Sequence, residues 1–137
     1  MPRTATAKLA DDRRPKKVVL DKDFAGIKAG QRMLVGTPQM IDDYIRAIPS
    51  GEGRTIIRMR RELARREGCD AACPVSTGIF LRIVAEAALE ALADGSNIDE
   101  VTPFWRVVSS KEKLAQKLDI DPAWLDHQRE REGINAG

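Results

Sequence analysis

Between residues 37 and 133, proline, glycine and capping residues cut this chain into helix-length pieces, and that punctuation limits the fold more than any other feature. Thr37-Pro38 predicts a helix start, with threonine as the cap and proline at the first helical position. Met40, Ile41, Tyr44, Ile45 and Ile48 follow at helical spacing, and Pro49-Ser50-Gly51 stops the helix. A second helix is predicted over 55–67, capped by Thr55 and ended by Gly68. Its apolar stripe is Ile56, Met59 and Leu63, while Arg58, Arg61 and Arg65 lie on another face. A third begins after Pro74, with Ser76 or Thr77 near its cap, and runs to about Ala93. Ile79, Ile83, Ala87 and Ala91 are expected to line one buried side, widened by Phe80, Val84 and Ala88. Asp94-Gly95-Ser96-Asn97 closes it. Asp121-Pro122 opens a last helix, with Ile120 and Leu125 placed as a hydrophobic staple around the cap.

Ahead of these helices, residues 1–17 are polar, basic and without apolar period, and they read as a flexible basic arm. Residues 18–137 then form a single domain, large enough for one core. Val18-Val19-Leu20 reads as a short strand, and Met33-Leu34-Val35 is expected to anchor a glycine-rich loop to the core. Only 4% of the residues are aromatic against 42% hydrophobic, so aliphatic side chains must build most of that core. The net charge is +2, but its distribution is uneven: Arg54, Arg58, Arg60, Arg61, Arg65 and Arg66 crowd one segment. Such a stripe serves either phosphate contacts or a solvated face. No run reaches the length of a membrane span, and no secretory pattern opens the chain. Two cysteines make no disulfide framework, so the expectation is a reduced, cytoplasmic protein without a membrane partner.

Between the third and last helices stands Thr102-Pro103-Phe104-Trp105-Arg106-Val107-Val108, followed by a polar, lysine-bearing excursion. Aromatic and β-branched residues favour strands, so residues 104–108 read as a strand. Three helices followed by a strand and a polar loop predict a mainly α protein with a small β wing, a winged helix-turn-helix.

The string resembles the Pro-Cys-His-Arg-Val segment of the alkylguanine-DNA alkyltransferases, which move an alkyl group from guanine in DNA onto a cysteine. Ile48-Pro49-Ser50-Gly51-Glu52 is similar to that family's lead-in to its helix-turn-helix, and Arg82-Ile83-Val84-Ala85-Glu86-Ala87 to the opening of its recognition helix. Asn97 lies near the position of its hinge asparagine, and the resemblance covers residues 33–133. It implies a winged helix-turn-helix that binds double-stranded DNA through the minor groove, inserts an arginine and flips the target base. On that comparison Arg82 is the intercalating arginine and Arg106 the arginine of the active-site string. Phe104 and Trp105 would line the base pocket. Arg58, Arg61 and Arg65 would meet phosphates, as would Ser76 and Thr77 at the start of the recognition helix.

The same alignment removes the family's chemistry. Phe104 replaces the nucleophilic cysteine and Trp105 the activating histidine, and neither ring can form or activate a thiolate. Ile56 stands where the family keeps a tyrosine that hydrogen-bonds a phosphate. The resemblance therefore implies a non-catalytic, alkyltransferase-like DNA-binding protein connected with repair of alkylated or damaged bases, using no cofactor and no metal. The alternative is a protein-interaction or regulatory module on the same fold that has left DNA. Cys69 and Cys73 read as two small residues at a helix boundary: zinc generally needs four ligands, and the only histidine, His127, is distant in sequence. Cys73 as a substitute alkyl acceptor would lack a nearby histidine. Arg58 with Glu62 fits an intrahelical ion pair as well as it fits a phosphate contact.

Overall fold

The computed structural model describes residues 4–11 and 13–134. Its elements, in chain order, are α1 (Ala5–Leu9), β1 (Lys16–Val19), β2 (Arg32–Val35), α2 (Pro38–Arg46), α3 (Ile56–Arg66), β3 (Ala71–Ala72), α4 (Pro74–Ala93), a 3-10 turn (Phe104–Arg106), α5 (Lys113–Lys117) and α6 (Pro122–Glu132). The protein is mainly α with a small three-stranded sheet.

Cap chemistry sets most helix starts. The Thr37 side chain accepts from the Met40 amide, Thr55 from Arg58 and Asp121 from Ala123, each satisfying a first-turn donor that has no intrahelical partner. Gly133 ends α6 in the left-handed region, at φ 76°, where a side chain would be strained. α4 differs, because Cys73 occupies its cap position and makes no side-chain capping bond. Thr77 is consequently not a cap; it lies a turn inside the helix.

β1 pairs antiparallel with β2, Lys16 opposite Val35, and β2 pairs in parallel with β3, Met33 opposite Ala71. Between β1 and β2, Phe24 and Ile27 exchange two backbone hydrogen bonds of 2.8 Å around Ala25-Gly26, both at positive φ. That is the tight-turn geometry a right-twisted hairpin favours, and it explains Gly26. β3 was not anticipated. It is held where α3 turns into α4, with the Asp70 carboxylate accepting from the Arg32 amide at 2.8 Å.

The segment read as a basic arm carries α1 and the first residues of β1. Glu90 on α4 accepts hydrogen bonds from the Ala5 amide, the Thr6 amide and the Thr6 hydroxyl at 2.7–2.9 Å. Those bonds hold the Glu90 carboxyl below the usual range. Arg13 then sits over the Phe80 ring, 5.6 Å from its centroid. The segment thus runs back along α4.

A second correction concerns residues 104–108. Phe104–Arg106 form a 3-10 turn, not the expected wing strand. Phe104, Trp105, Val107 and Val108 are all buried. A strand, with its two-residue period, would point neighbours to opposite faces; at three residues per turn, Phe104 and Val107 share one side and Trp105 and Val108 the next. Phe104, Trp105 and Trp124 of α6 form a three-ring cluster with centroids 5.6–6.0 Å apart. Around them Leu34, Ile41, Ile45, Met59, Leu81 and Leu125 complete a largely aliphatic core.

Tyr44 gives this packing a spectroscopic handle, since it is the sole tyrosine. Its hydroxyl donates to the Glu62 carboxylate, joining α2 to α3. Burial, then the hydrogen bond and the negative charge of Glu62, push its pKa up to about 12, against the smaller opposing pull of Arg54 and Arg58. A raised phenol pKa means that this contribution to stability is complete below the unfolded value of about 10 and is lost as pH rises toward 12. Ultraviolet absorbance titration should therefore find one ionisation near 12, falling to about 10 in denaturant. A midpoint near 10 in the native protein would contradict the Tyr44–Glu62 contact.

Candidate nucleic-acid interface

The amphipathic pattern of α3 dictates which side chains reach solvent. Met59, Leu63 and Ala64 are buried, which turns Arg58, Arg61 and Arg65 outward. Arg58 pairs with Glu62 at 3.2 Å one turn along the helix. The hydrogen bond from Tyr44 holds the Glu62 carboxyl below its usual range, against burial and with help from Arg58. Among the described residues, Arg61 and Arg65 make no ion pair, leaving two exposed guanidinium groups for an external anion.

α4 is apolar around much of its circumference, and its outward stripe is short: Val75, Ile79, Arg82 and Glu86, spaced by about a turn each. Val75 is 56% exposed and Ile79 55%. This corrects the expectation for Ile79, which faces solvent and not the core. Arg82 is exposed and bound to Glu86 at 2.9 Å.

Beside this stripe lies a groove of about 950 Å3. Its apolar lining comes from Ile56 of α3, Val75, Ile79 and Ile83 of α4, and Leu114 of α5. Its cations are Lys8, Arg82, Lys111, Lys113 and Lys117, against two carboxylates, Glu86 and Glu112. Lys111, Lys113 and Lys117 make no ion pair among the described residues.

Several residues expected at a DNA site are committed elsewhere. Thr77 is buried, and its hydroxyl donates to the Cys73 carbonyl at 2.7 Å, so no hydroxyl proton is left for a phosphate. Ser76 is half-buried, and its hydroxyl oxygen is inaccessible and unpartnered. Arg106 donates to Glu132 at 2.7 Å and to the Ile48 carbonyl at 2.6 Å, with its side chain only 14% exposed. It is a structural brace. Phe104 and Trp105, expected to line a base pocket, are 0% and 1% exposed and fill the core instead. The Trp105 indole N–H donates to Glu132 at 2.7 Å, which satisfies the one polar atom of a buried ring.

Cys73 is buried and Cys69 half-buried, both as free thiols. Among the described residues no cluster of His, Cys, Asp and Glu is fit to hold a metal ion, and no helix is long and apolar enough to cross a membrane. The structure therefore brings together Arg82 and three lysines that were not singled out from the sequence, and it separates them from Arg106, Phe104 and Trp105. The lysines had one visible signal, their crowding at 111, 113 and 117 after the aromatic string. Lys8 had none, because α1 delivers it to the groove through contacts far away in the chain. No protein-family model, curated protein or solved structure matches this chain.

Proposed function

We propose that this is a non-catalytic DNA-binding protein of the alkyltransferase-like kind, which grips duplex DNA by its phosphates. Under this reading α3, β3 and α4 act as a helix-turn-helix, and the β1–β2 hairpin serves as the wing. The observation that carries it is two groups of cations without ion-pair partners among the described residues: Lys111, Lys113 and Lys117 lining the groove beside α4, and Arg61 and Arg65 exposed on a separate face of α3. Other exposed arginines of the same two helices are paired one turn along, Arg58 with Glu62 and Arg82 with Glu86. Because Phe104 and Trp105 are buried, the reading includes no base pocket at those two side chains. Recognition of an alkylated guanine there is not part of it.

The test is a fluorescence titration of duplex oligonucleotides across a salt series. If about five phosphates are met, log K should fall with log salt with a slope of about −4 to −5. Arg61→Ala, Arg65→Ala and Lys113→Ala should each weaken binding to all sequences alike and make that slope shallower by about one unit. A duplex carrying an alkylguanine should bind no better than its unmodified counterpart. Binding absent at low salt would overturn the reading, since phosphate contacts are strongest there.

A further inference from the structure

The cations of the groove beside α4 can meet phosphates, but its floor cannot. Ile56, Val75, Ile79, Ile83 and Leu114 offer neither donors nor acceptors, and the groove is lined by no Ser, Thr, Asn or Gln side chain that would read a base edge. Two of these residues, Val75 and Ile79, remain more than half exposed one turn apart on the same helix. Leaving such side chains wet along a concave strip is costly, and concave apolar strips with charged rims commonly receive a helix. The rim decides its charge. Arg82 is already paired with Glu86 at 2.9 Å, and the four lysines Lys8, Lys111, Lys113 and Lys117 outnumber the remaining carboxylate, Glu112, so the rim favours an incoming helix with acidic flanks.

We infer that this groove docks an acidic amphipathic helix of a partner protein, with apolar residues at i, i+4 and i+7 on Val75, Ile79 and Leu114 and carboxylates against the lysines. Docking itself stands apart from the DNA reading. Its consequence for that reading is regulatory: a bound acidic helix would occupy the lysines that phosphates need and so displace DNA.

The probe is a fluorescein-labelled synthetic helix of about five turns, with leucine at every i, i+4 and i+7 position and glutamate at most others. It is compared with a version carrying lysine for glutamate and a version carrying serine for leucine. The acidic, leucine-bearing peptide is expected to bind, and each control to bind at least about tenfold more weakly. Ile79→Ser and Val75→Ser should weaken the first peptide by a similar factor, and Ile79→Leu should restore it. Both positions are exposed, so these variants keep the core.

No binding of the acidic peptide would overturn the proposal. Equal binding of the serine version would reduce the groove to an ion exchanger, and equal binding of the lysine version would reduce it to a sticky apolar patch; either result overturns it. Indifference to Ile79→Ser would place any binding elsewhere and overturn it as well. Duplex DNA is run in parallel. A protein that binds the peptide but no duplex refutes the DNA reading alone, and one that holds both at once refutes the shared surface.

Discussion

Trp105→Ala is expected to lower the unfolding free energy by about 3–5 kcal/mol, a large fraction of the roughly 5–15 kcal/mol that holds an ordinary domain folded. Trp105 is 1% exposed and packs edge-on against Phe104 and Trp124, with centroids 5.6 and 5.9 Å away. Removing it opens a cavity that the neighbouring turn cannot fill without moving α6. It also takes away one of the donors that keep the Glu132 carboxylate satisfied. Trp105→Phe is the milder variant, since it keeps an aromatic ring and loses the N–H together with part of the volume. It should cost roughly 1–3 kcal/mol, from the lost hydrogen bond to Glu132 and the smaller cavity together. Urea unfolding followed by far-ultraviolet circular dichroism measures both. A loss below about 1 kcal/mol for the alanine variant would mean that the aromatic cluster is not the centre of the core.

That prediction depends on a segment the sequence misrepresents. Phe104, Trp105, Val107 and Val108 have the residue types of a strand, and their preference for extended structure is real. What overrides it is the demand that consecutive bulky side chains all reach one interior. α2, α3 and α6 were legible because each announces itself within a few residues: Thr37-Pro38, Thr55 and Asp121-Pro122 act through local hydrogen bonds, whatever the rest of the chain does. α4 was legible in extent but not in orientation. It carries apolar side chains nearly all round, so spacing alone could not decide that Phe80 and Leu81 are buried while Ile79 is exposed. β3 is two alanines paired to a strand nearly forty residues earlier, and no local preference marks it.

The candidate site divides along the same line. Arg61 and Arg65 follow from helical periodicity and Arg82 was singled out only by the resemblance; all three side chains are exposed. Arg106 and Thr77 are ordinary polar residues in sequence, but tertiary contacts decide their fate: the largely buried carboxylate of Glu132 claims the first and the Cys73 carbonyl claims the second. The groove needed three distant parts of the chain to meet. Glu90 brings α1 and Lys8 to it, and the turn after the aromatic string brings α5. The aromatic string thus positions a surface without belonging to one.

Glu132 holds that arrangement from the other end of α6, and Glu132→Ala is expected to cost about 3–5 kcal/mol. Its carboxylate, only 7% exposed, accepts from Trp105 and Arg106, both at 2.7 Å, and from the Gly51 backbone. Truncation would leave the largely buried Arg106 guanidinium with only the Ile48 carbonyl to meet it. Burial alone would raise the Glu132 pKa, but hydrogen bonds from Arg106 and Trp105 and the Arg106 charge outweigh it, so the carboxyl lies below its usual range. An unfolded glutamate titrates at about 4.3. With the folded value depressed, the stabilisation is complete above that pH and disappears as pH falls through the lower folded value. Glu62 and Glu90 are depressed as well, so acid weakens the wild type through several groups at once. The share that belongs to Glu132 is the part missing in Glu132→Gln, whose stability should fall less steeply below about pH 4.3 while starting lower at neutral pH. Urea midpoints measured from pH 7 downward give both curves. Parallel curves would show that the Glu132–Arg106–Trp105 contact does not hold the carboxylate in its ionised form.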